Sequence, residues 1–226
     1  MSELSSSSVR RPVDSPRAAA VAGVLFALLF TAALALIRSA LPADIEANVN
    51  FLDDGATTRI SLGLALMPFA GIAFLWFMGV VRDRFKETED QLFSFVFIGS
   101  GLLFVAMIFV SAAIAGGIVA TIPLVTDEGG GTEVTTFGRA MMLQVSNIYA
   151  LRMAGVLLIS LGTMWLRTGV MPRWIAATTY GVAIVLLFVT SLSWWVSLIF
   201  PAWVLGVSIL ILVLNFRRPS APAAQQ

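Results

Sequence analysis

The sequence predicts an all-α fold, a polytopic transmembrane helical bundle of six spans with both ends in the cytoplasm, and three observations predict it. Hydrophobic residues make up 58 % of the 226 and charged residues only 12 %, where an ordinary soluble domain carries about 25 % charged. The charges fall in narrow bands. No Asp, Glu, Lys or Arg occurs from Gln91 to Thr126 or from Trp174 to Phe216. About 20 apolar residues cross the hydrocarbon core, so the first run serves one long or tilted helix and the second serves two. Finally, six spans place Arg10, Arg11, Arg17, Arg82, Arg84, Lys86, Arg167, Arg173, Arg217 and Arg218 on one side. Only Arg38, Arg59 and Arg139 fall on the other, which makes the first side cytoplasmic by the positive-inside rule.

Residues 1–17 are rich in Ser, Pro and Arg and read as a disordered cytoplasmic tail. Span 1 covers about 18–37. Basic residues ahead of an apolar run resemble a signal peptide, but this run exceeds the 7–15 residues of a secretory core and ends in Arg38 where cleavage needs a small residue. In the loop that follows, Leu41, Ile45, Val49 and Leu52 recur at helical spacing. A surface amphipathic helix and an ordinary polar loop both fit that pattern.

Span 2 covers about 60–81 and contains Pro68, which removes one backbone hydrogen bond and should kink it. Thr88 and Gln91 have the spacing of a capping box that opens span 3, about 91–118. Ala112/Gly116 and Ala113/Gly117 follow the small-xxx-small pattern, which predicts close packing against a neighbouring helix of the same chain, with dimerisation as the other outcome. An acidic, glycine-rich loop is expected from Thr126 to Gly138. Span 4 covers about 140–166 with Gly169 as its C-cap. Spans 5 (173–190) and 6 (197–216) share one uncharged run, so the turn Ser191–Val196 between them must be tight. A polar cytoplasmic tail, 217–226, ends the chain. The tryptophans divide between two interfacial belts, with Trp76, Trp165 and Trp174 on the inner side and Trp194, Trp195 and Trp203 on the outer. The two halves of the chain share no motif.

The chemistry is defined mainly by exclusion. Histidine and cysteine are absent, which removes thiolate and imidazole metal ligation, disulfides, histidine-bound haem and serine–histidine catalysis. All thirteen acids fall outside the predicted spans, so no intramembrane carboxylate is available for proton relay or aspartyl proteolysis. No P-loop or dinucleotide fingerprint occurs, and Gly129-Gly130-Gly131 is followed by no Lys-Ser/Thr. Adjacent acids such as Asp53-Asp54 read as solvated loop charge. No cofactor, metal ion or catalytic residue is assigned. A net charge of +1 without a basic face points away from nucleic acid.

One positive signal lies inside a span. Arg152 stands fifteen residues before Arg167, about 22 Å along a helix, which puts it below the outer boundary of the core. On an α-helical wheel Gln144, Arg152, Gly155 and Thr163 share a side, with Asn147 and Tyr149 near it. Two readings stay open. Arg152, Gln144, Asn147 and Tyr149 line an outward pocket for an anion such as a lipid headgroup or carboxylate. Alternatively, Arg152 snorkels and ties span 4 in depth through Asp53, Asp54 or Glu133. The intramembrane hydroxyls of Ser100, Ser111, Thr178, Thr179, Thr190 and Ser191 are expected to bond their own helix carbonyls.

The run Leu151-Arg-Met-Ala-Gly, the run Trp165-Leu-Arg-Thr-Gly-Val-Met-Pro-Arg-Trp174 and the Val-Val-Arg-Asp-Arg that ends span 2 resemble uncharacterised bacterial multi-span membrane proteins of families of unknown function. The resemblance covers about a third of the chain, implies a bacterial inner-membrane location and supplies no activity. The expected role is non-enzymatic, as a lipid-binding element or as an accessory to a membrane-protein partner or a homo-oligomer. The alternative is a small transporter or channel with an anion-attracting outer pocket around Arg152.

Overall fold

The computed structural model describes residues 15–41, 54–83, 91–121, 130–169, 171–189 and 194–216. Every regular element among them is helical: α1 (Ser15–Ala40), α2 (Asp54–Asp83), α3 (Gln91–Thr121), α4 (Gly130–Gln144), a π-helical turn (Val145–Ala150), α5 (Leu151–Thr168), α6 (Arg173–Phe188) and α7 (Trp194–Phe216). Five continuous helical stretches are long and apolar enough to cross a membrane, with α4, the π-turn and α5 forming one of them. The sixth apolar helix, α6, has 16 residues, about 24 Å at 1.5 Å per residue and short of a hydrocarbon core of about 30 Å.

Helix ends follow the charge bands. α2 stops at Arg82 and Asp83, and α5 stops at Gly169, whose φ of 65° is left-handed backbone that only glycine adopts without strain. The Gly169 N–H donates to the Trp165 carbonyl at 3.0 Å, closing the expected C-cap. α2 continues through Pro68 without interruption. The proposed surface helix beyond Leu41, Thr88 of the capping box and most of the turn between α6 and α7 lie outside the described residues.

α1 packs along α2 and α7, α3 along α2 and α5, and α5 along α6. At the centre Phe26 (α1), Phe74 (α2), Phe104 (α3) and Phe200 (α7) meet ring to ring. Centroids are 4.8 Å apart for Phe26–Phe74 and Phe104–Phe200, and 5.2 Å for Phe74–Phe104, mostly tilted or edge-on. Such offset pairs place ring edges against ring faces, as the aromatic quadrupole favours. All four rings are fully buried.

Three sequence expectations need correction. The segment read as a loop up to Gly138 is helical from Gly130, because Thr135 and Arg139, one turn apart, both face inward and are buried. Of the small residues on α3, Ala115 is buried and a Cβ on Gly116 would just touch Leu64 at 3.4 Å, whereas Gly117 faces open space. The Ala113/Gly117 pair therefore sits on the outward face of this chain. Last, Trp165 and Trp203 stack with centroids 6.0 Å apart, so they share one depth and do not belong to opposite belts. Trp165 is buried in the bundle, while Trp76, Trp174 and Trp195 are exposed as belt residues would be.

Candidate functional site

The polar centre of the bundle is assembled by the end of α1, the π-turn and the start of α7. On α1 the apolar positions Leu34, Ile37 and Leu41 recur on the buried face, and Arg38 stands one turn after Leu34 on that face. Arg38 is 7 % exposed. Nη2 donates to Asn147 Oδ1 at 2.7 Å. Ser197 Oγ on α7 donates to the same oxygen at 2.9 Å. These two short bonds take the lone pairs of the amide oxygen, and Ser146 Oγ lies farther off at 3.3 Å. Because guanidinium can only donate, the contact also fixes which way the Asn147 amide points.

The π-turn is what brings Asn147 inward. A π-helix bonds i to i+5, one residue more per turn than the α-helix, and such turns recur at functional sites. Here Ser146 and Asn147 are buried within the turn. Immediately before it, the carbonyl of Met142 accepts Ser146 Oγ at 2.9 Å and Ser111 Oγ of α3 at 3.0 Å. Ser111 therefore does not bond its own helix. It ties α3 to α4, whereas Ser100, Thr178 and Thr179 do bond carbonyls of their own helices. Arg38, Ser111 and Ser146 also line a cavity of about 20 Å³, whose remaining lining is apolar side chains such as Phe30, Met67 and Ala115.

The structure does not bring the four sequence-derived site residues together. Asn147 is buried and engaged with Arg38. Gln144 is exposed, and so is Tyr149, at 57 %. Arg152 is half-buried and makes no hydrogen bond or ion pair with a described residue, exposed Glu133 included; the side chains of Asp53 and Asp54 lie outside the described residues. Thr163 turns to α6, its Oγ1 2.6 Å from Tyr180 Oη. The α-helical wheel misplaces these residues because the extra residue per turn between Val145 and Ala150 shifts the phase of everything after it.

Arg38 is the residue that sequence reasoning missed. A first span ending at Ile37 makes Arg38 a boundary charge, whereas α1 runs on to Ala40. The continuing stripe through Leu41 was the signal that the helix and its buried face run on. Among the described residues no three Asp or Glu side chains gather as a metal site.

Compared with protein-family models, curated proteins and solved structures, the chain matches none of them.

Proposed function

We propose that this chain is a six-span, N-in/C-in protein of the bacterial inner membrane that acts without catalysis, as a lipid-binding or accessory element, and that it takes an anionic lipid headgroup at Arg152. The observation that carries this reading is the position of Arg152. It is half-buried, without a bond to any described residue, and follows exposed Tyr149 by three positions on the helix surface. A guanidinium at the rim of an apolar surface is satisfied by a bidentate anion, and phosphate geometry matches its fork. Five stretches apolar enough to span support the membrane location. α6 crosses as the sixth span, its missing length being accommodated by local thinning of the bilayer.

Native mass spectrometry of the purified protein with co-purified lipid tests the lipid reading. Wild type should retain anionic phospholipid. Arg152→Lys should lose much of it while keeping its thermal stability, since lysine preserves the charge and loses the planar fork. Equal lipid retention in wild type, Arg152→Lys and Arg152→Ala would refute the headgroup site.

A further inference from the structure

We propose a second, separate site inside the bundle: the cavity beside Arg38 binds a single halide-sized anion, chloride in the cell. It does not depend on Arg152 or on any lipid.

Arg38 is a buried residue, 7 % exposed, and the one side chain that it bonds, Asn147, is neutral. Buried charges in proteins are paired, because an uncompensated ion in a low-dielectric interior is strongly disfavoured. Within membrane helices they pair with one another, with carbonyls or with a ligand. No carboxylate among the described residues reaches Arg38. Its second terminal nitrogen, Nη1, is buried with no hydrogen-bond partner at all. Among the described residues Arg38 therefore has no counter-charge, and its Nη1 has no acceptor.

The cavity supplies room for both in one atom. Its volume of about 20 Å³ exceeds the roughly 10–15 Å³ that one water needs. That room, set among apolar side chains, suits a small anion of one atom. A water would satisfy the Nη1 hydrogens and leave the charge unmatched; an anion does both. The wall offers further donors. Ser111 and Ser146 both donate to the single carbonyl of Met142. Either hydroxyl can turn to the anion while the other keeps that carbonyl satisfied. The remaining wall, with Phe30, Leu34 and Ala115, is apolar and strengthens the attraction by excluding water.

The test is thermal unfolding of the full chain in detergent or nanodiscs at fixed sodium concentration, with chloride, bromide or gluconate as the anion. A ligand that binds only the folded state raises the melting temperature with its concentration. Wild type should melt higher in chloride and bromide than in gluconate, which is too large for the cavity, and the rise should saturate. Arg38→Met removes the charge and should lose the halide dependence. Because Arg38→Met also strips a partner from Asn147 and can fail to fold, Asn147→Asp provides the independent variant. It keeps the side-chain shape, gives Arg38 an internal carboxylate, and should fold with no response to halide. A wild type indifferent to the anion would mean that the cavity holds water and would overturn the proposal. So would a halide response retained undiminished by Asn147→Asp, since the effect would then arise elsewhere on the protein.

Discussion

Replacing Gly63 by alanine should weaken the α1–α2 contact, while the same change at Gly117 should not. A Cβ at Gly63 would lie 2.9 Å from the carbonyl oxygen of Ala33, 2.8 Å from Ile37 Cγ1 and 3.3 Å from Leu36 Cβ. Ile37 can shift by rotation, but the Ala33 carbonyl is fixed in the α1 backbone, so the helices themselves must part. Parting by half an ångström or more forfeits about a quarter to a half of each dispersion well along the seam. Overpacking of this kind costs about 1–3 kcal/mol. Alanine returns part of that, because it is a better helix former than glycine by about 0.8–1 kcal/mol. The net expectation is a loss of up to about 2 kcal/mol for Gly63→Ala. A Cβ at Gly117 meets nothing within 4 Å, so only the helix-propensity gain remains. Equilibrium unfolding in mixed micelles of dodecyl sulfate and a mild detergent, followed by tryptophan fluorescence, measures both. Equal stability for the two variants would show that α1 and α2 do not approach as closely as described.

The phenylalanine cluster gives a second contrast. Phe104→Ala should cost about 3 kcal/mol, the low end for a buried phenylalanine, because lipid is as apolar as the core and only the cavity and lost contacts count. Phe95→Ala, at a residue 78 % exposed on the same helix, should leave the unfolding midpoint unchanged, and comparable losses at both positions would remove the cluster's central role. Topology follows from the arginine and lysine bias: in intact cells an impermeant thiol reagent should label cysteines placed at Gly55 and Glu133 and spare those at Asp83 and Arg173. Labelling at position 83 from outside would overturn the N-in arrangement.

Much of the fold could be read from where charges stop. α1, α2, α3 and α7 are bracketed by bands of charged or polar residues, and bilayer thickness sets a length that the apolar runs either meet or miss. α4 was harder. Gly129-Gly130-Gly131 and Glu133 look like loop chemistry, and only the inward-facing pair Thr135 and Arg139 reveals a helix. The π-turn left no trace, since Val145–Ala150 carries no proline or glycine to mark a departure from α-helical phase. An α-helical wheel groups Asn147 with Gln144, Tyr149 and Arg152, while its oxygen bonds Arg38 and Ser197 from elements 109 and 50 residues away in sequence. Periodicity within one helix carries no information on such pairings.

The span of those pairings bears on how the protein is made. Arg38 leaves the ribosome 109 residues ahead of Asn147, which at about 5–20 residues per second is a delay of roughly 5–20 s. Throughout that interval the Arg38 guanidinium has not yet met its Asn147 acceptor. Ser197, near the start of the last helix, emerges later still and completes the acceptor's bonding. α1 therefore gains its full set of contacts only after α7 has been made. A chain truncated before α7 would keep Asn147 but not Ser197 or Phe200, and so would lose one of the four rings at the core together with one of the bonds to the Asn147 oxygen.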